Sequence, residues 1–462
     1  MTNLDFFFNP KSIAVLGASS KLGKIGYEVL KSIIDGGYEG EVYPVNLKGG
    51  EILGLSVQKS VLDIPSDVDL AVFTLPAKYT PQVMEECGKK RVKGAVIISG
   101  GFKELNGEGA ELEKETVEIA KRYGIRIIGP NCVGILSLNS RFDTFFQPRY
   151  AMSRPEPGNI SVLTQSGTFG LSILECFTED HLGVSKFVSY GNKADVDELE
   201  MLRYLASDPK TEIIVFYVEG LNKGKEFMEI ARDIGKKKPI VMLKAGRTSS
   251  GAAAAKSHTG SLSGNDAVFS GAMRQSGVIL VCDIDEIVDV VKILSMQPLP
   301  KGCNVAMLTN GVGPSVVAAD EIEYAKNVSL SKLSKEIIVK LKEHLPDYCV
   351  FSNPLDITGS ATAEWFKHSI SILKQDEGVD ILMPFFVFQD APLSETIEDF
   401  HDFMNQLNGN DKPMLCVSLG GEFTQKQIAR LQKNGIPCVP TPRRAVFALD
   451  RIAWYSKFQR QS

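Results

Sequence analysis

No apolar run in this 462-residue chain approaches the roughly 20 residues that a helix needs to cross a bilayer. The opening Met-Thr-Asn-Leu-Asp-Phe-Phe-Phe-Asn-Pro has no basic stretch and carries Asp5, so a secretory signal is not expected. Charge of one sign is lacking too. With 51 Lys and Arg against 56 Asp and Glu the net charge is −5, which leaves no global field to attract nucleic acid or an acidic membrane. The eight cysteines, at 87, 132, 176, 282, 303, 349, 416 and 438, form no CxxC and no paired spacing. They read as buried, reduced thiols, which argues against a disulfide framework or a metal site. There is no Gly-Lys-Ser phosphate loop, and histidine occurs only five times. The expectation is a cytoplasmic multidomain protein.

What the chain does have is alternation. Short buried-strand patterns follow helical ones throughout, the signature of doubly wound α/β sheets. The first unit, residues 1–140, opens on Ser12-Ile-Ala-Val-Leu16, with further strand patterns at 42–47, 70–75, 95–98 and 125–128. The Pro-rich stretch 141–158 reads as a linker. A second unit, 159–297, has strand patterns at 160–164, 186–189, 212–218, 239–243 and 278–282, which fit a flavodoxin-like sheet. A third, 298–462, repeats the layout from Asn304-Val-Ala-Met-Leu308 onward. The expected architecture is a Rossmann-like domain followed by two flavodoxin-like domains.

In the first unit Leu16-Gly-Ala-Ser-Ser-Lys-Leu-Gly-Lys-Ile-Gly26 joins a strand to a helix, where free N–H groups and the helix dipole favour phosphate. Its glycines, at 17, 23 and 26, are spaced G-x5-G-x2-G, not the G-x-G-x2-G of NAD enzymes, and the loop adds Lys21 and Lys24. At the end of the second strand, Val45-Asn46-Leu47-Lys48 puts a cation where NAD enzymes place an acid for the ribose diol. A cation there prefers a ribose bearing a phosphate. Coenzyme A, with a 3′-phosphate and a pyrophosphate, satisfies both features; NADP satisfies only the second. Ser99-Gly100-Gly101-Phe102 and Gly129-Pro-Asn131-Cys-Val-Gly134 follow later strands, on the edge where such sheets bind ligands.

In the second unit, Thr164-Gln-Ser166-Gly167-Thr168 reads as strand, turn and helix start, with Ser166 as N-cap and an anion as the natural occupant. Glu219 ends the apolar strand 213–218 and can orient an imidazole by accepting a proton from one ring nitrogen. His258 stands in Arg247-Thr-Ser-Ser-Gly-Ala-Ala-Ala-Ala-Lys-Ser-His-Thr-Gly260, a basic, small-residue segment without apolar periodicity. Such a segment is expected to be a mobile loop, and a titratable nucleophile on it suits transfer of an anionic group. Each feature alone has an ordinary reading: a capped helix, a strand-end Glu, a solvated loop. Together they make one coherent phosphotransfer site.

With Ser257-His-Thr-Gly260, Thr164-Gln-Ser-Gly-Thr168, Gly129-Pro-Asn-Cys-Val-Gly134 and the Gly17–Gly26 loop assembled, the chain resembles the α subunits of the succinyl-CoA synthetase superfamily, most closely those of ADP-forming acyl-CoA synthetases. The third unit, with Thr309-Asn-Gly-Val-Gly-Pro314 and Asn353-Pro-Leu-Asp-Ile357, is what that second group has and succinyl-CoA synthetase α subunits lack. The resemblance implies an acid–thiol ligase with His258 as the phosphorylated nucleophile and Glu219 as its orienting carboxylate. It implies phosphate at Ser166, Gly167, Thr168 and Gly260. Coenzyme A would be lined by Gly17, Ala18, Ser19, Lys21, Gly23, Lys24, Asn46, Lys48, Ser99, Gly100, Gly101 and Asn131. The thioester would react near Asn131, Gly191 and Asn192, within Tyr190-Gly-Asn-Lys-Ala194. An ATP-grasp β subunit would carry ADP or ATP with magnesium, in an α2β2 assembly, so no metal site is expected in this chain. Three readings compete: a succinyl-CoA synthetase-like ligase for another acid, an NADP-dependent dehydrogenase, and a CoA-binding regulatory subunit without catalysis.

Overall fold

A computed structural model describes residues 4–221, 223–259, 265–407 and 412–461, and at 255–259 the backbone alone. The chain divides into two compact units, Met1–Leu280 and Val281–Ser462. The first unit holds two sheets. Strands β1 (Ser12–Leu16), β2 (Glu41–Val45), a small hairpin of β3 (Glu51–Ile52) and β4 (Leu55–Ser56), then β5 (Leu70–Phe73), β6 (Gly94–Ile97) and β7 (Arg126–Ile128) come first. Without the hairpin they form a parallel sheet in the order β2-β1-β5-β6-β7. β1, β5 and β6 are buried along their whole length, as expected of strands covered by helices on both faces. Those helices are α1 (Ile25–Asp35), α2 (Thr80–Lys89) and α3 (Glu108–Tyr123). The strand order reverses at β1, so the crevice above its carboxyl end is the natural ligand position.

The second sheet begins earlier than the expected boundary at residue 140. Strands β8 (Ile135–Ser137) and β9 (Phe142–Asp143) form an antiparallel hairpin on its edge. Its parallel part comprises β10 (Pro157–Thr164), β11 (Val184–Ser189), β12 (Ile213–Val218), β13 (Ile240–Lys244) and β14 (Val278–Val281), ordered β14-β13-β12-β10-β11-β8-β9. Read from the first parallel strand this is the 2-1-3-4-5 flavodoxin order. The stretch 141–158 is not a free linker. Buried Asp143 accepts hydrogen bonds from Arg149 and Arg154, each at 2.9 Å, and this fixes the chain between β9 and β10. Helices α4 (Gly167–Glu179), α5 (Glu198–Ser207), α6 (Gly224–Gly235), α7 (Ser249–Thr259) and α8 (Asp266–Gln275) complete the unit.

Helix α7 corrects the expectation of a loop around His258. The segment lacks an apolar face, but its four consecutive alanines have the highest intrinsic helix propensity of any residue, and propensity needs no buried stripe. The backbone of His258 falls in the last turn of that helix, its side chain lies outside the described residues, and so does the whole of Gly260.

The second unit starts with α9 (Ile284–Met296) and holds a third sheet of β15 (Asn304–Thr309), β16 (Ser329–Leu330), β17 (Val350–Phe351), β18 (Leu355–Asp356), β19 (Ile381–Phe385), β20 (Cys416–Val417) and β21 (Cys438–Val439). The order β18-β15-β19-β20-β21 repeats the flavodoxin pattern, with β17 antiparallel at one edge. All eight cysteines are free thiols, but Cys282 and Cys303 are exposed and Cys176 half-buried, against the expectation that all are buried. Burial pushes the Cys132 thiol up to about 12. Among the described residues no helix is long and apolar enough to cross a membrane, and no cluster of three His, Cys, Asp or Glu side chains could hold a metal ion.

Candidate functional site

The glycine loop after β1 is shaped by contacts that only glycine allows. Gly17 has φ +90°, and its N–H, like that of Ala18, donates to the carbonyl of Val45 at the end of β2. A Cβ on Gly26 would stand 2.2 Å from the Gly17 carbonyl oxygen and 2.8 Å from Thr74 Oγ1. The amino end of α1 is thus pressed onto the strand-end loops, with no room for a methyl group. Asn46 ties the second strand to this loop by donating from Nδ2 to the Ala18 carbonyl at 2.9 Å, and its Oδ1 accepts from Lys48 N–H at 3.0 Å. Ser19 Oγ accepts from Lys21 N–H, while Gly23 N–H donates to Glu28. Lys21, Lys24 and Lys48 are exposed and make no ion pair among the described residues. Three cations therefore ring a loop whose backbone faces the crevice. Gly26→Ala is expected to cost about 1–3 kcal/mol of unit stability, by overpacking. It should weaken CoA binding at least about tenfold, as calorimetric titration would show.

Across the crevice, Ser99 Oγ donates to the Leu75 carbonyl, and Gly101 N–H donates to Glu104 Oε1 at 2.6 Å. Asn131 has φ +57° in the loop after β7, where its N–H donates to the Ser99 carbonyl. That loop meets the segment after β11. A Cβ on Gly191 would stand 2.2 Å from the Pro130 carbonyl oxygen, and Asn131 Nδ2 donates to Asn192 Oδ1 at 3.4 Å. The structure therefore brings Asn131, Gly191 and Asn192 together.

It also adds two residues that sequence reasoning missed. Asn192 Nδ2 donates to Glu104 at 2.7 Å and to Glu113 at 2.8 Å. Burial pushes the Glu104 carboxyl up, but the Asn192 amide and the N–H groups of Gly101 and Phe102 outweigh it and hold it below the usual carboxylate range. Burial wins at Glu113, which is raised. Both glutamates lie among exposed helix-like charges, so nothing in the sequence set them apart.

The second half of the site is built on β10 and β12, neighbours in the second sheet. After β10 the chain turns tightly. Thr164 Oγ1 donates to the Ser166 carbonyl at 2.6 Å and accepts from Ser166 N–H at 3.1 Å. Ser166 then caps α4 by accepting from Phe169 N–H at 3.3 Å. The N–H groups of Gly167 and Thr168 open the helix, where no intrahelical acceptor exists for them. A Cβ on Gly167 would stand 2.6 Å from Val133, so this helix start is seated against the Gly129–Gly134 loop.

Gln165 joins this turn to Glu219. Its side-chain oxygen accepts the N–H groups of both Glu219 and Gly220, the latter at 3.1 Å. Gln165 and Glu219 are each 7% exposed. Lys193 reaches the same corner. Its Nζ donates to the Gly220 carbonyl at 2.9 Å and pairs with Glu198 at 3.0 Å, both side chains buried. Lys244, at the end of β13, is buried as well; burial lowers its ammonium pKa, against the pull of Asp266 and Glu219. The fully buried Tyr190 hydroxyl has no hydrogen-bond partner among the described residues. Glu219 thus ends its strand beside an open helix start, with Lys193 bonded to the next carbonyl and Lys244 within its electrostatic pull, a corner whose free N–H groups suit an anion. Gln165 and Lys193 sat inside motifs already singled out, yet no spacing rule marks their roles.

A CoA binding domain model matches residues 11–137, and a succinyl-CoA ligase like flavodoxin domain model matches residues 157–294. The α subunit of ADP-forming acetate–CoA ligase I from Pyrococcus furiosus is 41% identical over 99% of this chain and 98% of its own length. The ADP-forming acetate–CoA ligase I of Archaeoglobus fulgidus is 43% identical over 98% of this chain, which spans 64% of that longer protein. Among solved structures, acetyl-coenzyme A synthetase 1 of Candidatus Korarchaeum cryptofilum, in complex with phosphate and ADP, is similar at a TM-score of 0.92 and 35% identity, covering 100% of this chain and 98% of that one.

Proposed function

Because the chain belongs to the family of ADP-forming acetate–CoA ligases, in the place of their α subunit, we propose that it catalyses acetyl-CoA + ADP + phosphate ⇌ acetate + ATP + CoA together with a separate ATP-grasp β subunit. Coenzyme A lies over the Gly17–Gly26 loop, with its phosphates toward Lys21, Lys24 and Lys48 and its thioester near Asn131 and Asn192. A phosphate oxygen attacks the thioester carbonyl; the C–S bond breaks, and CoA leaves as the thiol after taking a proton. The acetyl phosphate formed sits at the amino end of α4, against Gly167 and Thr168. A ring nitrogen of His258 attacks its phosphorus, the bond to the acetyl oxygen breaks and acetate departs. The phosphohistidine then gives its phosphoryl group to ADP on the partner, where magnesium accompanies the nucleotide. The assembly is α2β2 and the setting cytoplasmic.

The observation that carries this reading is the Gln165 bridge, which sets the anion-binding helix start and the Glu219 corner in one fixed frame. In that frame Glu219 orients the imidazole and balances its charge once it is phosphorylated. The α chain reconstituted with its partner should form ATP from acetyl-CoA, ADP and phosphate, read by a coupled assay. No ATP from acetyl-CoA or any other acyl-CoA would overturn the proposal. Glu219→Gln keeps the shape and removes the charge. It should lower kcat about tenfold to a hundredfold with KM for CoA unchanged.

A further inference from the structure

The first sheet has a second cleft, at the edge opposite the glycine loop. Where the chain enters β6 and β7, a cleft of about 690 Å³ is lined by Lys89, Arg91, Lys93, Arg122 and Arg126. Its volume lies in the range of small-molecule sites. Among the described residues no carboxylate lines it, and the Tyr123 hydroxyl donates to Glu85 at its rim. Four acidic residues pair with three of the cations from outside: Asp69 with Lys93 at 2.6 Å, Glu85 with Arg122 at 3.3 Å, and Asp195 and Glu200 with Arg126 at 2.9 and 2.6 Å. Lys89 and Arg91 make no ion pair among the described residues. Lys89 and Arg122 lie in the last turns of α2 and α3, where the helix dipole alone accounts for a cation. Arg91 takes the left-handed position that closes α2, φ +60°, its N–H donating to the Gly88 carbonyl and that of Val92 to the Cys87 carbonyl. Lys93 and Arg126 stand outside the helices, where β6 and β7 begin.

The walls of the cleft are aromatic. Gly88 lets the Tyr123 ring lie on the α2 backbone, since a Cβ there would stand 2.2 Å from it, and Gly94 does the same for Phe6 at 2.5 Å. Tyr123 remains 37% exposed. A convergent set of cations beside a ring held flat matches a ligand with a charged end and a planar end.

We propose that this cleft binds a nucleoside diphosphate, its phosphates between Lys89 and Arg91 and its base against Tyr123. The shared chemistry, a diphosphate, could also come from inorganic pyrophosphate, and the test separates the two. The complete enzyme with its partner is saturated with CoA, without magnesium and without ADP, which as a nucleoside diphosphate would fill this cleft too; any UDP held at the partner's nucleotide site is the part of the binding that the double variant keeps. UDP and pyrophosphate are then titrated by calorimetry. UDP should bind with an affinity that falls at least about tenfold in the double variant Lys89→Gln, Arg91→Gln, and that weakens as salt rises. Tyr123→Leu should weaken UDP and leave pyrophosphate unchanged. Turnover and circular dichroism of the variants serve as checks of fold, since none of the three residues touches the ligase site. Absence of UDP binding, or equal binding by wild type and double variant, overturns the site. Equal affinity for UDP and pyrophosphate, indifferent to Tyr123→Leu, overturns the nucleoside assignment.

Discussion

His258→Asn is expected to lower turnover by more than about three orders of magnitude, with CoA affinity within about twofold of the wild type. Asparagine keeps much of the imidazole's size and polarity but has no nitrogen that can attack phosphorus. The CoA contacts proposed above lie in the first sheet, on the loops after β1, β2, β6 and β7, so they should not depend on this side chain. Intact-mass measurement gives the chemical readout. Wild-type chain with its partner, acetyl-CoA and phosphate should gain one acid-labile phosphoryl group, and the variant none. Turnover within tenfold of wild type would remove histidine from the mechanism. Loss of both turnover and CoA binding would point instead to a folding defect.

Lys193→Met should destabilise the first unit by about 3–5 kcal/mol, the cost of leaving a buried carboxylate unpaired. Glu198 is 2% exposed, so water cannot replace the ammonium. The Gly220 carbonyl loses its donor in the same step, and the corner that carries Glu219 loosens. The variant should therefore also lose activity beyond its loss of folded protein. Denaturant unfolding of the wild type, Lys193→Met and the double variant Lys193→Met, Glu198→Leu tests this. The double variant should regain much of the stability, because two apolar side chains leave no charge behind. It should not regain activity, since the bond to Gly220 is still missing. Recovery of both would make Lys193 a packing residue only.

The long buried strands were legible in the sequence because a run such as Ile213–Val218 is apolar on both faces and can be nothing else in a covered parallel sheet. The glycine loop and the turn at Ser166 were legible for a related reason: a strand followed by small residues and a helix has few possible geometries. The hairpin β8–β9 was not. Its strands have three and two residues, too short for any period to show, and their pairing with β11 is set by tertiary contact. At Ser249–Thr259 the lack of an apolar face masks the helix propensity of the alanines. In the site, Asn131, Gly191 and Asn192 were found as neighbours, whereas Glu104 and Glu113 were not. Carboxylates on a helical segment look solvated until another chain segment, here Asn192, arrives to cover them.

Between Ile128, the last residue of one sheet, and Ile135, the first of the next, the chain has only the six residues Gly129–Gly134. These same residues back the start of α4 through Val133 and the segment after β11 through Pro130. For recombination, this makes the CoA-binding half a poor interchangeable cassette. A crossover within those six residues would trade the residues that back the start of α4, the proposed phosphate seat, along with it, and a crossover after residue 143 would carry off two strands of the other sheet. Homologous exchange in this region should therefore succeed only when the incoming piece brings its own partner for Gly167 and Gly191, so the two halves are expected to be inherited as one block.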